Sequence, residues 1–369
     1  MKLSKPLKRT LVELITCLLE NNKAHLCKLG EELAINGPSK QACNQRIRRF
    51  LSNKRMKPEF FVRPLIYLMR PLLERLSEIV LSMDRTDWKK RGKWINILSV
   101  SVCYKGRALP LCWMVFGRRG NSALTHWKQV LTPVILGLQL MDWLSGKPLH
   151  VVADREFASP KLAEWLKETF DVGSTLRMKA SMYLKDENKP EVKIASLIKK
   201  MKKGKRRVLR DQQITRDSSF KMNVLLTWDE KYDEPLVVAT TSSKPWLSDK
   251  IYGFRFGIEC MHKDYKSNAF DLEKTKVTDP KRIETMLIPI AFAYVLCMIE
   301  GERKEMAGED ISKPPKGKIR MVGLFLDGLR SISRHLRRAN SKQFKRFIRQ
   351  LLSSFLEAWK IKPSHILDT

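Results

Sequence analysis

Residues 94–116 read WINILSVSVCYKGRALPLCWMVF, and they predict two β-strands joined by a tight turn. The strands are expected over 94–104 and 107–116, two apolar runs on either side of a turn signal. Lys105 and Gly106 suit a two-residue hairpin turn, which requires positive φ angles. Just upstream, EIVLSMD at residues 78–84 reads as a further short strand. The sheet is therefore expected to begin with three antiparallel strands.

Downstream of this hairpin, predicted helices and strands alternate. A helix is expected over 122–138, bent or broken by Pro133, followed by a strand over 149–154. A helix over 159–169 and a strand over 171–180 come next. Three antiparallel strands followed by parallel strands that helices cover is the order expected of a ribonuclease-H-like α/β core.

The rest of the chain is expected to surround this core. Residues 1–78 read as an all-α domain, whose last helix spans about 59–78. The core itself covers 79–180 and 233–300, with a β-rich subdomain inserted over 181–232. Residues 301–369 are expected to form a polar linker and two basic helices near 319–338 and 342–360, for DNA contact or dimerisation.

Composition indicates an anionic partner. The chain has 71 Lys and Arg against 39 Asp and Glu, a net charge of +32. Nucleic acid is the commonest partner of such a surface, and an anionic membrane is the competing one. The longest apolar run, residues 286–299, contains Pro289 and is shorter than the roughly 20 residues of a membrane-spanning helix. We therefore expect a core helix there and no membrane partner. Seven cysteines without CxxC spacing predict reduced thiols in a cytosolic protein.

The N-terminal domain contains a candidate DNA-recognition helix. One helix stops at the breaker Asn36-Gly37-Pro38, and the next begins near Ser39 as N-cap, an order similar to a helix-turn-helix. The alternative is a basic surface helix in an accessory bundle. The side chains of the second helix that suit base edges and phosphates are Lys40, Gln41, Asn44, Gln45, Arg46, Arg48 and Arg49.

Two aspartates end predicted strands. Asp84 ends the first strand in MDRTDW, and Asp154 ends the fourth in VVADREF. These strands are neighbours in the expected fold, and reactive groups gather at the carboxyl ends of strands, so the two side chains should meet. Asp87 competes with Asp84, which directly ends the apolar run, and Glu156 competes with Asp154 from beyond the strand end.

Residues 252–266, YGFRFGIECMHKDYK, are expected to add a third carboxylate. On one α-helix, Tyr252, Arg255, Glu259 and Lys266 would fall within an arc of roughly 60° along about 20 Å. The alternative is a solvated charged face. With both aspartates, Glu259 would make a self-repelling cluster that suits two Mg²⁺ ions, or Mn²⁺ in their place. Arg155 would bind phosphate or pair with a surface carboxylate.

The spacing Tyr-x2-Arg-x3-Glu-x6-Lys in this segment resembles the signature of DDE transposases of insertion sequence family four. The two aspartate contexts and the β insertion are also similar, and the resemblance covers about residues 5–300. It implies cut-and-paste DNA transposition: Mg²⁺-dependent nicking at the inverted repeats of a transposable element, then attack of the 3′-hydroxyl on target DNA. The metal ligands it implies are Asp84, Asp154 and Glu259. The contacts to phosphates of the transposon end would be Tyr252, Arg255 and Lys266.

The same resemblance implies a homodimer on paired double-stranded DNA ends in the bacterial cytoplasm, at the nucleoid. Two other functions stay open: a catalytically inactive DNA-binding protein derived from a transposase, and a ribonuclease-H-like nuclease. Relatives that form a DNA hairpin carry a tryptophan on the strand before the signature helix, and EPLVVATT at 234–241 has none. Trp228 and Trp246 flank that strand, and either could substitute.

Overall fold

The computed structural model describes residues 3–35, 38–186, 190–215, 218–309 and 323–337. These residues form a mixed α/β protein, as predicted, around a ten-stranded sheet. The strands are β1 (Ile79–Lys90), β2 (Lys93–Tyr104), β3 (Arg107–Phe116), β4 (Leu149–Ala153), β5 (Gly173–Arg177), β6 (Tyr183–Lys185), β7 (Val192–Lys193), β8 (Arg206–Ile214), β9 (Lys221–Thr227) and β10 (Leu236–Thr240). The helices are α1 (Lys5–Asn21), α2 (Leu26–Ala34), α3 (Lys40–Leu51), α4 (Val62–Leu73), α5 (Leu124–Gln139), α6 (Pro160–Phe170), α7 (Ile194–Lys199), α8 (Ser248–Gly253), α9 (Phe256–Lys263), α10 (Pro280–Met306) and α11 (Leu324–Arg337).

The strand order is β3-β2-β1-β4-β5-β10-β9-β8-β6-β7. β1, β4 and β5 are mutually parallel, while β2 pairs antiparallel with β1 and β3 pairs antiparallel with β2, as predicted. Lys105 and Gly106 form the expected turn between β2 and β3, with φ of 44° and 73°. Strands β6–β9 come from the predicted insertion, and they continue this sheet beyond β10.

β1 is longer than the sequence predicts. The expectation that it ends at Asp84 is wrong, because β2 stays paired with it as far as Lys90 and Lys93. A two-residue turn at Arg91 and Gly92, with φ of 48° and 78°, closes this hairpin. The parallel pairing with β4 nevertheless stops at Met83. Asp84 is thus the first residue of β1 beyond the parallel register.

α10 is the central helix of the core. The sequence predicts its end near residue 300 and a linker from Gly301, but the helix continues to Met306. The reason is packing: a Cβ on Gly301 would lie 2.0 Å from the Leu324 carbonyl oxygen, so α10 and α11 touch backbone to backbone there. α10 is long and apolar enough to cross a membrane, yet 89% of its most apolar window is buried inside the protein.

The two C-terminal helices were predicted near 319–338 and 342–360. α11 accounts for the first, and the second lies outside the described residues. At the other end of the chain, α1, α3 and α4 contact α10, and Ser39 caps α3 by accepting a hydrogen bond from the Ala42 N–H. A short 3₁₀ turn and α4 replace the predicted helix over 59–78. No disulfide joins the seven cysteines, all of which lie in the described part of the chain.

Candidate active site

Asp84 and Asp154 lie side by side where the parallel pairing of the neighbouring strands β1 and β4 stops. Met83 of β1 is in register with Ala153 of β4, and the next residue of each segment is the aspartate. Each carboxylate accepts the N–H of the residue that follows it, at 2.8 Å for Asp84 and 2.7 Å for Asp154. The parallel register therefore brings together two residues that are far apart in the sequence.

Residues 252–266 do not form the single helix predicted from their spacing. α8 ends at Gly253, α9 begins at Phe256, and a π-helical turn follows at Asp264–Asn268. Between α8 and α9 the backbone tightens, since the N–H of Arg255 donates to the carbonyl of Tyr252, three residues back, at 3.0 Å. The regular stripe with an arc of about 60° is consequently absent.

Gly257 explains how closely this segment approaches the sheet. A Cβ at this position would lie 2.4 Å from the carbonyl oxygen of Arg107, the first residue of β3. Only a glycine permits that contact, because the atom it would meet belongs to the backbone of a paired strand. α9 also contacts β1 and β2, so the segment lies over the strands that carry Asp84.

One hydrogen-bonded network joins the three predicted carboxylates, and Arg255 is at its centre. Nη1 of Arg255 donates to Asp84 Oδ2 at 3.1 Å, and Nη2 forms a short contact with Glu259 Oε1. Nε of Arg255 donates to the Tyr252 hydroxyl at 3.1 Å. That hydroxyl in turn donates to Asp154 Oδ1 at 3.0 Å. Three of the predicted residues thus bond to one guanidinium, and Asp154 is joined to it through the Tyr252 hydroxyl.

The two aspartates have opposite pKa shifts. Burial raises the pKa of Asp84 to about 6, although the Arg255 guanidinium and the Arg85 N–H act in the other direction. Burial also acts to raise the pKa of Asp154, but the Arg155 N–H, Arg255 and the Tyr252 hydroxyl outweigh it, and the pKa lies below its ordinary value. Burial raises the pKa of Tyr252 to about 12, so its hydroxyl keeps its proton and remains a donor.

The donor set suits a hard divalent cation, since such ions prefer carboxylate oxygens. In the described part of the chain, however, no group of three or more His, Cys, Asp or Glu side chains is arranged to hold a metal ion. The guanidinium of Arg255 explains this, because it bonds to Asp84 and Glu259 at once. A cation of the protein itself neutralises these carboxylates.

The segment that carries this network matches a known protein family. The family described as "Transposase DDE domain" matches residues 75–296, more than half of the chain. The chain belongs to this DDE transposase family. The match includes all three carboxylates, whereas α1–α4 and α11 lie outside it. A comparison with curated proteins finds no match.

Lys266 of the transposase lies apart from the Arg255 network. Its ammonium donates to the carbonyl of Asp87 at 3.2 Å and forms an ion pair with Glu273 at 3.0 Å. It also lies 5.7 Å from the centre of the Trp88 ring. Lys266 therefore faces the extended half of β1, beyond Asp84.

Two further arginines lie near Asp154. Arg155 donates to Glu234 at 2.9 Å, an exposed ion pair at the mouth of the site. Arg177 was not identified from the sequence, and its Nη1 is 3.7 Å from Asp154 Oδ1. The rule that led to Asp84 and Asp154 could have found it, because Arg177 ends β5, the next parallel strand.

The competing carboxylates, Glu156 and Asp87, lie outside this network. Glu156 pairs with Arg85 at 2.9 Å and accepts the Ser122 N–H at 3.2 Å, so it ties the loop after β3 to β1. Asp87 lies on β1 opposite Asn96, three residues beyond Asp84. Neither takes part in the hydrogen bonds around Arg255.

The residues predicted on α3 separate into two groups. Asn44 packs against α2, where a Cβ on Gly30 would lie 2.0 Å from its Oδ1. Arg46 forms an ion pair with Glu13 of α1 at 2.5 Å. Both are half-buried and hold the helices together. The exposed residues of the predicted set are Lys40, Gln41, Gln45, Arg48 and Arg49.

The two tryptophans that flank β10 differ in exposure. Trp228 is half-buried, and its indole N–H donates to the Tyr232 carbonyl at 3.0 Å. Trp246 is 47% exposed in the turn that leads into α8, where its carbonyl accepts a hydrogen bond from Arg206 at 2.6 Å. Of the two, Trp246 is thus the one that presents its ring to solvent.

Proposed function

We propose that this transposase catalyses cut-and-paste transposition of an insertion sequence, with Asp84, Asp154 and Glu259 as its catalytic carboxylates. The observation that carries the proposal is their convergence around Arg255 from three distant parts of the chain. The order β3-β2-β1-β4-β5, with three antiparallel strands leading into parallel ones, supports a ribonuclease-H-like core. The reaction would cut the element ends by hydrolysis and then join the 3′-hydroxyl to target DNA.

Two Mg²⁺ ions, or Mn²⁺ in their place, are the proposed cofactor, held by Asp84, Asp154 and Glu259. Such ions polarise the attacking oxygen and stabilise the leaving oxygen of a phosphodiester. The chain's own residues orient these ligands: the Tyr252 hydroxyl holds Asp154, and backbone N–H groups hold both aspartates. Arg255 and Lys266 supply the cationic donors that phosphate oxygens accept.

The proposed partner is double-stranded DNA, both at the inverted repeats and at the target. Near the cut, Tyr252, Arg255 and Lys266 would contact phosphates, with Arg155 beside them. Farther away, the exposed side chains of α3 would contact the duplex, while Asn44 and Arg46 keep their structural partners. We also propose a homodimer that pairs two ends, acting at the nucleoid in a bacterial cytoplasm.

A nicking assay tests the catalytic assignment. Supercoiled plasmid carrying the DNA that flanks the gene is incubated with Mg²⁺ and wild type, Asp84→Asn, Asp154→Asn or Glu259→Gln. We expect each variant to lose at least about 100-fold in cleavage rate, because each removes one charge that the transition state requires. Asp87→Asn is the matched control on the same strand, and it should stay within a few-fold of wild type. Equal cleavage by wild type and Glu259→Gln would show that the catalytic assignment is wrong.

A further inference from the structure

Arg255 uses every nitrogen of its guanidinium within the site. Nη1 and Nη2 bond to Asp84 and Glu259, and Nε bonds to the Tyr252 hydroxyl. The side chain is only 11% exposed. Arg255, the residue that would contact a DNA phosphate, therefore points inward. Its guanidinium bonds to the carboxylate oxygens that a divalent cation would need.

We propose that Arg255 is an internal counter-cation which fills the carboxylate site in the DNA-free protein and leaves it for a DNA phosphate. The inference rests on the proposed function and adds a coupling between two ligands. A guanidinium and a divalent cation compete for Asp84 Oδ2 and Glu259 Oε1, so each excludes the other from these oxygens. DNA that draws Arg255 away thereby favours metal binding.

The coupling follows from the cost of separating buried charges. Removal of Arg255 alone would leave Asp84, whose side chain is 16% exposed, without its counter-charge, and such uncompensated burial is strongly unfavourable. When a DNA phosphate pairs with Arg255 and a metal ion takes the place of the guanidinium beside Asp84, every charge keeps a counter-charge and this cost does not arise. Thermodynamic linkage then requires that each ligand raise the affinity of the other by the same factor.

The local structure permits this exchange of partners. Arg255 lies in the short break between α8 and α9, and its neighbours Phe254 and Phe256 are 47% and 61% exposed. Its backbone is thus near the protein surface while its guanidinium points inward. Because Arg255 belongs to neither α8 nor α9, a change of its side-chain rotamer breaks no hydrogen bond within these helices.

The test measures Mn²⁺ binding to the full chain by calorimetry, without DNA. Arg255→Gln should bind Mn²⁺ about 10-fold more tightly than wild type, within the range of about 5–150-fold that is typical of coupled sites. Arg177→Gln is the matched control, since it removes a positive charge that lies 3.7 Å from Asp154 and 3.9 Å from the exposed Glu234, and that pairs with neither Asp84 nor Glu259. Its affinity should change by less than about 3-fold, the smaller effect expected of a partly exposed charge.

A second measurement does not depend on the variant folding. Wild type is titrated with Mn²⁺ in the presence and absence of a short DNA duplex, and the duplex should tighten binding by a similar factor. Equal Mn²⁺ affinities for wild type and Arg255→Gln, or no effect of the duplex, would overturn the inference and leave the proposed function intact. No Mn²⁺ binding under any condition, or binding that Asp84→Asn leaves unchanged, would overturn both.

Discussion

Asp84→Asn should stabilise the metal-free protein more at high pH than at low pH. Burial raises the pKa of Asp84 from 3.8 to about 6, so the folded state holds this proton more tightly than the unfolded chain. Ionising Asp84 therefore costs stability as the pH rises through this window. From the two pKa values, the cost grows from about 2 kcal/mol at pH 5 to about 3 kcal/mol at pH 8. Asparagine does not ionise, so the free energy of unfolding of the variant should gain about 1 kcal/mol on that of wild type over this interval.

Urea unfolding in EDTA at the two pH values measures this difference. The comparison cancels every effect that does not depend on pH, including the altered contact with Arg255. Ser82→Ala is the control, because Ser82 is a fully buried residue of the same strand that does not titrate, and its difference from wild type should be equal at both pH values. If the difference in unfolding free energy between Asp84→Asn and wild type stays constant or falls as the pH rises, burial does not outweigh Arg255 at this carboxylate.

Three further predictions concern packing and DNA contact. Gly257→Ala should lower the free energy of unfolding, measured by thermal denaturation, by about 2 kcal/mol, because its Cβ would clash with β3. Gly253→Ala is the control and should be neutral or stabilising, since a Cβ at that position meets nothing within 4 Å. Equal effects of the two substitutions would contradict this account. Glu284→Ala should lower the free energy of unfolding, measured with urea, by about 1–3 kcal/mol, because it leaves the buried N–H of Val115 without its acceptor. Glu284→Gln keeps an acceptor and should lower the free energy of unfolding by less. Lys266→Ala should weaken DNA binding and reduce the slope of log affinity against log salt by about 1; an unchanged slope would exclude a phosphate contact.

Features that depend on near neighbours were predictable from the sequence. The turn at Lys105 and Gly106 and the N-cap at Ser39 follow from local backbone preferences. The strand-end rule placed Asp84 near Asp154 even though β1 continues beyond Asp84, because the rule depends on where the parallel pairing with β4 stops. The length of β1 itself depends on a partner strand, and the sequence of β1 alone does not contain that information.

In the segment that carries Arg255, the spacing of the residues was informative, but the predicted backbone was wrong. The spacing of Tyr252, Arg255 and Glu259 indicated a shared site, and the structure places all three in one network. The regular helix assumed for that spacing is absent, since the backbone tightens between α8 and α9. Lys266, at the end of the same spacing, pairs with Glu273 instead.

Residue type, spacing and strand ends are local properties of the chain, and they were enough to single out the five side chains that the structure joins in one network, Asp84, Asp154, Tyr252, Arg255 and Glu259. The position of the Arg255 guanidinium between Asp84 and Glu259 is instead a product of the fold. That position depends on how closely α9 approaches β3, which Gly257 permits through contact with a strand far away in the sequence. Contacts between distant segments set the distance between opposite charges, and that distance decides which cation the carboxylates hold.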